Sequence, residues 1–350
     1  MGKIVLFGEL MLRLKPFGKE RFFQSPSLNA VFGGSEANVA VSLSKFKKDT
    51  RFVTALPSNP LGEAALSSLR YYGVSVEAVQ KEGRLGLYFL ENGACQRPSN
   101  VIYDRENSVF SLAKPDEYDW DSIFEDAQWL HISGVTPAIS ENTALCTKRA
   151  FEEAKKRGVR ISLDLNYRKK LWKWGKTASE VMRELSSYAD VLIANEEDVQ
   201  NCLNIPLENR NTPSESYKVL CKNVKKEFPN VKYVAVTFRH SVSADINFWT
   251  CFLDGKEGFY ESTRYEIQNI VERVGAGDSF AAGLIYALSS GDSFSGALSS
   301  GKAEFSEGEA LDFAAAAGCL KHSIHGDFNL STKEEVLALA KGNGSGRIQR

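Results

Sequence analysis

The chain alternates between short apolar runs and longer amphipathic ones. Runs such as Lys3–Phe7 and Val191–Ala194 are mostly apolar at consecutive positions, as the central strands of a parallel sheet are. The intervening stretches, such as 141–158 and 177–188, carry apolar residues at helical spacing. Strands that alternate with helices predict an α/β fold, namely a doubly wound and mostly parallel sheet flanked by helices on both faces.

The alternation breaks twice in the first third of the chain. Residues 85–90 and 101–104 resemble strands with no helix between them, so we expect them to pair antiparallel. Together with 10–32 they predict a small β-sheet that lies over the site as a lid. The predicted division is therefore an α/β domain of residues 1–9, 33–84 and 106–340, a lid of residues 10–32 and 85–105, and a flexible tail of residues 341–350.

The stretch 271–291 carries the strongest chemical signal. Gly275, Ala276 and Gly277 form a turn of small residues directly before Asp278 and an amphipathic helix. Backbone N–H groups at a helix N terminus bind anions, phosphate above all. A carboxylate at that point repels phosphate, but it suits a base that takes a proton from a hydroxyl attacking the phosphate. From these residues alone, a simple helix cap by Asp278 stays open as the alternative.

Composition narrows the classes of partner. The formal net charge is −1 and no basic block stands out, so there is no electrostatic reason to expect nucleic acid. The apolar stretch in 1–16 is too short for a membrane span and lacks a small-residue cleavage site, which favours a buried first strand and no membrane partner. The cysteines are scattered without a C-x-x-C pair, so we expect reduced thiols and a cytoplasmic protein.

Candidate loops fall where predicted strands end. Ligands of doubly wound sheets bind outside the carboxyl ends of the strands. The segments at such ends are 8–9, 33–38, 164–168, 195–198, 237–239 and 275–278. Their coincidence at one edge of the sheet predicts a single site built from several loops.

Two signatures identify a family. With GGSEANVA at 33–40 and VERVGAGDSFAAGL at 271–284, the chain resembles the ribokinase-like (PfkB) carbohydrate kinases over roughly residues 3–335. The resemblance implies a sugar kinase that uses ATP with Mg²⁺. It implies that Asp278 is the general base, that Gly34 and Asn38 contact sugar hydroxyls, and that the anion hole consists of Gly275, Ala276 and Gly277.

The resemblance also assigns a nucleotide side. Asn195 heads a segment similar to the family's N-x-x-E, but its fourth residue is Asp198, one methylene shorter than glutamate. Glu197 and Asp198 are expected to hold Mg²⁺ through water. Thr237 resembles the threonine on the ATP side.

Glycines usual in the family after that threonine are replaced by Phe238-Arg239-His240. Arg239 either supplies charge to the phosphates or is a solvated surface arginine. Gly277 is expected to contact the nucleotide as well. The family's monovalent-cation site uses an Asp where Glu272 stands here, which leaves a monovalent cation open.

Within the family, the chain is similar to kinases of 2-keto-3-deoxygluconate. The segments 164–168 and 325–329 carry that similarity, together with Tyr88, Tyr103, Arg105 and Arg168 as substrate-binding residues. This sugar bears a carboxylate, and a buried carboxylate needs a cation, best supplied by arginine. An exposed lid arginine at 105 and a structural ion pair at 168 stay open as alternatives.

Several functions therefore compete. The first is ATP-dependent phosphorylation of 2-keto-3-deoxygluconate to its 6-phosphate, and its nearest rival is a kinase for a neutral sugar such as fructose or ribose. A dinucleotide-dependent oxidoreductase lacks support, because 8–10 contains no G-x-G-x-x-G. A binding protein that senses nucleotide without catalysis is disfavoured by an intact Asp278. The resemblance also implies a homodimer that pairs through the lid.

Overall fold

The computed structural model describes residues 2–290, 305–344 and 346, which form an α/β fold with two separate sheets. The predicted mostly parallel sheet flanked by helices, with a small sheet beside it, is confirmed. The strands in chain order are β1 (Lys3–Phe7), β2 (Met11–Lys15), β3 (Asn29–Gly33), β4 (Thr50–Pro57), β5 (Ser75–Lys81), β6 (Leu87–Glu91), β7 (Asn100–Asp104), β8 (Ala127–Ser133), β9 (Arg160–Asp164), β10 (Val191–Ala194), β11 (Tyr233–Ser241), β12 (Ile246–Asp254), β13 (Phe259–Glu261) and β14 (Tyr265–Gln268).

Within the described ranges, the large sheet has ten strands. Its parallel part runs in the order β11-β10-β9-β8-β1-β4-β5, and β12 pairs antiparallel with β11, β13 and β14. Side chains of β1 alternate between two cores, since Leu6 packs into the core on one face and Phe7 into the core on the other. The parallel order brings the carboxyl ends of successive strands to one edge, where the predicted loops lie.

The helices cover both faces of this sheet. In chain order they are α1 (Ser35–Lys45), α2 (Pro60–Tyr71), α3 (Val109–Leu112), α4 (Trp120–Phe124), α5 (Glu141–Lys156), α6 (Ala178–Ser186), α7 (Glu196–Leu203), α8 (Pro213–Glu227), α9 (Ala276–Ser289), α10 (Glu307–Lys321) and α11 (Lys333–Ala340). Most begin at a side-chain cap, as α6 does at Thr177 and α10 at Ser306. Gly275 begins α9 with no side-chain cap, which leaves the first N–H groups of that helix without a side-chain acceptor.

The small sheet has the order β3-β2-β6-β7. The predicted antiparallel pairing of β6 with β7 is confirmed, and β2 pairs with β6 in parallel. Its strands lie in the two segments assigned to the lid, except that β3 ends one residue beyond them, at Gly33. The domain boundaries and the closing of a lid stay predictions. The predicted flexibility of the tail concerns 341–350, of which 345 and 347–350 lie outside the described residues.

Two expectations about elements need correction. Residues 237–239 were expected in a loop, but β11 continues through them to Ser241. The reason is a long hairpin, in which Val234 to Ser241 pair with β12 residue by residue. The sequence pattern also missed β14, α3 and α4, which are too short to show a period.

Candidate active site

A cleft of about 900 Å³ lies between the carboxyl edge of the large sheet and one face of the small sheet. This volume is typical of pockets that enclose a small-molecule ligand. All the site residues predicted from the sequence line it, namely Gly34, Asn38, Tyr88, Tyr103, Arg105, Arg168, Asn195, Glu197, Asp198, Thr237, Arg239, Gly275, Ala276, Gly277 and Asp278. The topology therefore brings five of the six predicted segments to the cleft, all except 8–9. Only the partners of each side chain indicate what it can do.

Asp278 lies in the first turn of α9 and is half-buried. Its Oδ1 accepts a hydrogen bond from Ser35 Oγ and its Oδ2 one from Asn38 Nδ2, each at 2.7 Å. Both donors belong to α1, so Asp278 does not cap its own helix. Burial raises the pKa of Asp278, and the two donors oppose that rise. The carboxylate is thus oriented from two sides within the cleft.

The turn before α9 requires glycine at its first position. Gly275 has φ +84°, and a Cβ there would lie 2.2 Å from the main-chain oxygen of Asp327. Ala276 and Gly277 follow as the first helical residues, and Gly277 is exposed to the cleft. An uncapped helix N terminus beside an oriented carboxylate can bind an anion and place a base next to it.

Asn38 offers a free acceptor. Its side chain is 2% exposed, and its Oδ1 has no hydrogen-bond partner among the described residues. Gly34 precedes α1 where the backbone passes very close to Glu9: a Cβ on Gly34 would lie 2.1 Å from the Glu9 main-chain oxygen. A hydroxyl in the cleft can satisfy Asn38 Oδ1, which agrees with the role that the resemblance implies.

Arg105 is buried and already has a charged partner. Its Nε donates to Glu9 Oε2 at 2.7 Å, and Glu9 Oε1 accepts from Ser108 Oγ at 2.6 Å. The alternative of an exposed lid arginine is wrong, because this side chain is 5% exposed. Its Nη1 has no partner among the described residues. Glu9 therefore holds one edge of the guanidinium, and Nη1 remains as a donor for a ligand.

Arg168 differs from Arg105 in its exposure and in its partners. Its side chain is exposed, and its Nη1 donates to the Tyr167 main-chain oxygen at 2.8 Å. No ion pair within 4.0 Å involves it in the described part of the chain, so the alternative of a structural ion pair is not met. Burial raises the pKa of Asp164, Asp198 and Asp278, and the charge of Arg168 opposes that rise at all three. Arg168 therefore brings an exposed positive charge to the cleft.

The small sheet joins the cleft through a buried ionic network. Tyr88 OH donates to Asp327 Oδ2, and Arg13 Nη1 donates to Asp327 Oδ1 at 2.5 Å. Tyr103 lies beside Tyr88 with ring centroids 6.4 Å apart. Arg13, Tyr88 and Tyr103 occupy one row across β2, β6 and β7. That row is the side of the small sheet that faces the cleft.

Asn195 and Asp198 form a reciprocal helix cap. Asn195 Oδ1 accepts from the Asp198 main-chain nitrogen at 2.8 Å, and Asp198 Oδ2 accepts from the Asn195 main-chain nitrogen at 3.0 Å. Asp198 Oδ1 accepts from the Tyr167 main-chain nitrogen at 2.9 Å. Burial raises the pKa of Asp198 to about 6. Both carboxylate oxygens of Asp198 thus accept hydrogen bonds from main-chain nitrogens, whereas the side chain of Glu197 is exposed to the cleft.

Thr237 and Arg239 project from β11, not from a loop. Thr237 is half-buried and Arg239 is exposed, and both line the cleft near Glu196. No three His, Cys, Asp or Glu side chains converge to hold a metal ion anywhere in the described residues. A magnesium ion at this edge would consequently take most of its ligands from phosphates and water, as Mg²⁺ commonly does.

Comparison with known proteins identifies the family. The model of the pfkB family of carbohydrate kinases matches residues 1–331. The chain belongs to that family. A crystal structure of a 2-dehydro-3-deoxygluconokinase from Thermotoga maritima is 43% identical, with a TM-score of 0.89 over 98% of this chain and 100% of that one. The predicted family resemblance is therefore confirmed, and the protein is a carbohydrate kinase.

Two further relatives differ in the sugar that they are named for. A 2-dehydro-3-deoxygalactonokinase from Haloferax volcanii is 31% identical, covering 98% of both chains. A fructokinase-2 from Solanum lycopersicum is 27% identical, covering 97% of both chains. Relatives for acidic and for neutral sugars thus align with nearly the whole of this carbohydrate kinase. Among its described residues, no helix is long and apolar enough to cross a membrane.

Sequence reasoning missed several residues that shape the site of this carbohydrate kinase. Ser35 and Glu9 hold Asp278 and Arg105, and Arg13 and Lys15 both contact Glu272. One signal was available, since MLRLK in β2 places two cations on the same side of a strand. Two cations that face inward require buried carboxylates, but the sequence does not say which carboxylates meet them.

Glu272 is the position at which a monovalent cation was left open. Its carboxylate is 1% exposed and accepts hydrogen bonds from Arg13 Nη1 at 3.2 Å and Lys15 Nζ at 2.9 Å. These two cations outweigh burial and lower the pKa of Glu272. The negative charge at this position is therefore neutralised by the protein's own side chains.

Proposed function

We propose that this carbohydrate kinase transfers the γ-phosphoryl group of Mg-ATP to the 6-hydroxyl of 2-keto-3-deoxygluconate, with Asp278 as the general base. The observation that carries the proposal is the arrangement at α9: Asp278, oriented by Ser35 and Asn38, stands beside an uncapped helix N terminus. The cleft also contains a buried arginine donor for an acidic sugar. Asp278 would thus be the base, the N terminus of α9 the site for the phosphoryl group, and Arg105 the site for the sugar carboxylate.

The chemistry follows from where the charges lie. The sugar hydroxyl attacks the γ-phosphorus, the bond from that phosphorus to the bridging oxygen of ADP breaks, and the hydroxyl proton passes to Asp278. Ser35 and Asn38 keep the carboxylate oriented, and the N–H groups of Ala276 and Gly277, at the uncapped start of α9, would donate to the transferred group. Catalysis of phosphoryl transfer consists mainly of this positioning and charge stabilisation.

The nucleotide side is proposed at the edge formed by β10 and β11. Asn195, Thr237 and Arg239 would face the phosphates, with Gly277 between the nucleotide and the sugar. When bound, Mg²⁺ neutralises phosphate charge. Glu197 would reach it through water, and Asp198 would act by holding the backbone of that segment. Because Arg13 and Lys15 already neutralise Glu272, we expect turnover without an added monovalent cation.

The acidic sugar is favoured by Arg105. Its Nη1, which has no hydrogen-bond partner within the part of the chain that the structure describes, can donate to a substrate carboxylate, and Arg168 can approach the same anion from the exposed side. Tyr88 and Tyr103 would form a wall for the sugar, and Gly34 and Asn38 would meet its hydroxyls. A buried donor without a partner is costly, so a ligand that satisfies it gains affinity.

A kinase for a neutral sugar such as fructose or ribose is the second candidate. It is favoured by one observation: Glu9 already neutralises the charge of Arg105, so the cleft does not need an anionic ligand to balance that arginine. The relative named as a fructokinase fits this alternative. The two candidates differ only in what the free side of Arg105 meets.

A substrate panel tests the proposal. Purified protein with Mg-ATP would be given 2-keto-3-deoxygluconate, 2-keto-3-deoxygalactonate, fructose and ribose, with ADP release measured and the product's phosphorylated carbon located by NMR. We expect the highest kcat/KM for one of the two acids and phosphate on carbon 6. Higher kcat/KM for fructose or ribose would establish the neutral-sugar kinase, and no turnover of any sugar would refute both candidates.

A homodimer through the lid belongs to the same proposal. On the side of the small sheet away from the cleft, Leu14, Phe89 and Ile102 form one row across β2, β6 and β7. Ile102 is 49% exposed, and Leu14 and Phe89 are half-buried. A second lid would cover this apolar row. Light scattering at micromolar concentration should give twice the chain mass; a single-chain mass would count against pairing.

A further inference from the structure

Lys321, the last residue of α10, is a lysine with none of its surface exposed to solvent. Its Nζ donates to the main-chain oxygens of Ile324 at 3.0 Å and Gly326 at 2.9 Å. A buried ammonium is costly unless its hydrogens are satisfied. An apolar residue would fill the same space without that cost, so packing alone does not account for a lysine here.

The loop that Lys321 holds lies against the turn that begins α9. A Cβ on Gly275 would be 2.2 Å from the Asp327 main-chain oxygen and 3.2 Å from Lys321 Cε. The chain just before that turn is tied to the same region, because the main-chain nitrogens of Val271 and Glu272 both donate to the His322 oxygen, at 2.9 and 3.2 Å. Lys321 therefore lies behind the anion-binding turn, packed between two segments that form it.

The charge of Lys321 is part of a dense buried group. Four charged side chains act on its ammonium. They are Glu272 just before α9, Asp327 in the loop after α10, Arg13 of β2 and Asp278 of α9. Burial lowers the pKa of Lys321 to about 8, and the carboxylates oppose that fall. His322, next in the chain, donates from Nδ1 to the Gly318 main-chain oxygen at 2.8 Å and stays neutral, because burial lowers its pKa to about 4.

We propose that Lys321 is a positioning residue for phosphoryl transfer. Its ammonium ties residues 324–326 to the end of α10, which keeps Asp327 seated against Gly275 and fixes a positive charge behind the N terminus of α9. That charge adds to the helix dipole where negative charge spreads over the transferred phosphoryl group. Lys321 does not line the cleft and acts through the Gly275 turn. The inference rests on the proposed role of that turn.

The first test replaces the charge and keeps the length. Lys321→Met should lower kcat by about 10- to 100-fold, the effect of one charge-assisted hydrogen bond, while the KM for the sugar changes far less. Lys222→Met, at an exposed lysine of α8, is the matched control and should leave kcat at the wild-type value. Circular dichroism and thermal melting report whether each variant is folded. A folded Lys321→Met with wild-type kcat would overturn the inference.

The second test does not depend on Lys321→Met being folded. In the wild type, kcat should fall as the pH rises past about 8, because the ammonium loses its proton. In Lys321→Arg, whose guanidinium stays charged, that alkaline fall should disappear. The same fall in both proteins would overturn the inference. If the wild type phosphorylates no sugar of the panel, the proposed function fails; if it does and the Lys321 variants match it, only this inference fails.

Discussion

Two aspartates in the first turns of two helices face the same cleft, and their partners differ completely. Both carboxylate oxygens of Asp198, at the start of α7, accept hydrogen bonds from main-chain N–H groups, those of Asn195 and Tyr167. Both carboxylate oxygens of Asp278, at the start of α9, accept hydrogen bonds from side chains of another helix, Ser35 and Asn38. The first arrangement holds a segment in place. The second holds the carboxylate itself in place and leaves the N terminus of its own helix uncapped.

The difference teaches how one residue type serves two purposes at equivalent positions. A carboxylate bound to backbone N–H groups completes a helix start, and moving it costs local structure. A carboxylate oriented by side chains can exchange a proton without loss of secondary structure. We therefore assign chemistry to Asp278 and support of the chain to Asp198, and each prediction below tests one side of this contrast.

The largest expected effect is the loss of the base. Asp278→Asn keeps the shape and removes the basicity, so turnover should fall by at least about 10²- to 10⁴-fold, the usual worth of general-base help. Binding of a non-hydrolysable ATP analogue, measured by calorimetry, should stay nearly unchanged.

Asp198→Asn is the matched control for that variant. It removes the same charge from the same cleft, and we expect its loss of turnover to be much smaller and its loss of stability larger. If Asp198→Asn reduced turnover as strongly as Asp278→Asn, the contrast between the two aspartates would not hold.

The next effect concerns the sugar. Arg105→Leu keeps bulk and removes the donor that faces the cleft, so kcat/KM for 2-keto-3-deoxygluconate should fall about 10- to 100-fold. Activity on fructose should fall much less, because fructose presents no carboxylate. Tyr103→Phe, which removes one hydroxyl, should cost less than the arginine change. An unchanged ratio of kcat/KM for the two sugars would favour the neutral-sugar kinase.

A smaller effect is expected at the cap itself. Asn195→Ala removes the acceptor for the Asp198 main-chain nitrogen, which should lower the free energy of unfolding by about 1 kcal/mol. Turnover should fall and the Mg²⁺ concentration for half-maximal rate should rise, while the KM for the sugar moves little. A shift of the sugar KM as large as the loss of turnover would assign this segment to the sugar side.

The smallest effect is a pH dependence of stability. Burial raises the pKa of Asp198 from 3.8 to about 6, so the folded chain holds that proton more tightly than the unfolded chain does. The contribution of Asp198 to the stability of the wild type should therefore fall as the pH rises from about 4 to 6, by the linkage of proton binding to folding. Asp198→Asn lacks this contribution. Urea unfolding should give a flatter pH dependence for the variant, and parallel curves would contradict the shift.

Much of the fold follows from the pattern of the chain. Parallel strands such as β10 are buried on both sides and show as apolar runs, and helices such as α6 carry both a cap and a periodic face. Short segments that mix polar and apolar residues, such as β14 or α4, are too short for a period to appear. Residues 237–239 belong to β11 and not to a loop, because pairing with β12 decides where β11 ends.

Local motifs predicted residues that line the cleft, but not the side chains that these residues contact. Asp278 and Arg105 are identified by local motifs, which depend on neighbours in the sequence. Glu9 is 96 positions from Arg105, and Ser35 is 243 positions from Asp278, so no local pattern could pair them. Lys321 shows the same limit, since a lysine at a helix end is usually exposed. Pairings over such separations are set by the packing of whole elements.

The central claim is that Asp278 takes the proton of the attacking hydroxyl. Its most direct test is the rate of phosphoryl transfer in a single turnover, measured by rapid quench against pH for the wild type and Asp278→Asn. We predict that the wild-type rate rises with pH through a pKa above the usual aspartate value, because burial raises the pKa of Asp278 and only the unprotonated carboxylate can act. In Asp278→Asn the rate should be low and independent of pH over that range. The same acid limb in both proteins, or a variant rate equal to the wild-type rate, would contradict the claim.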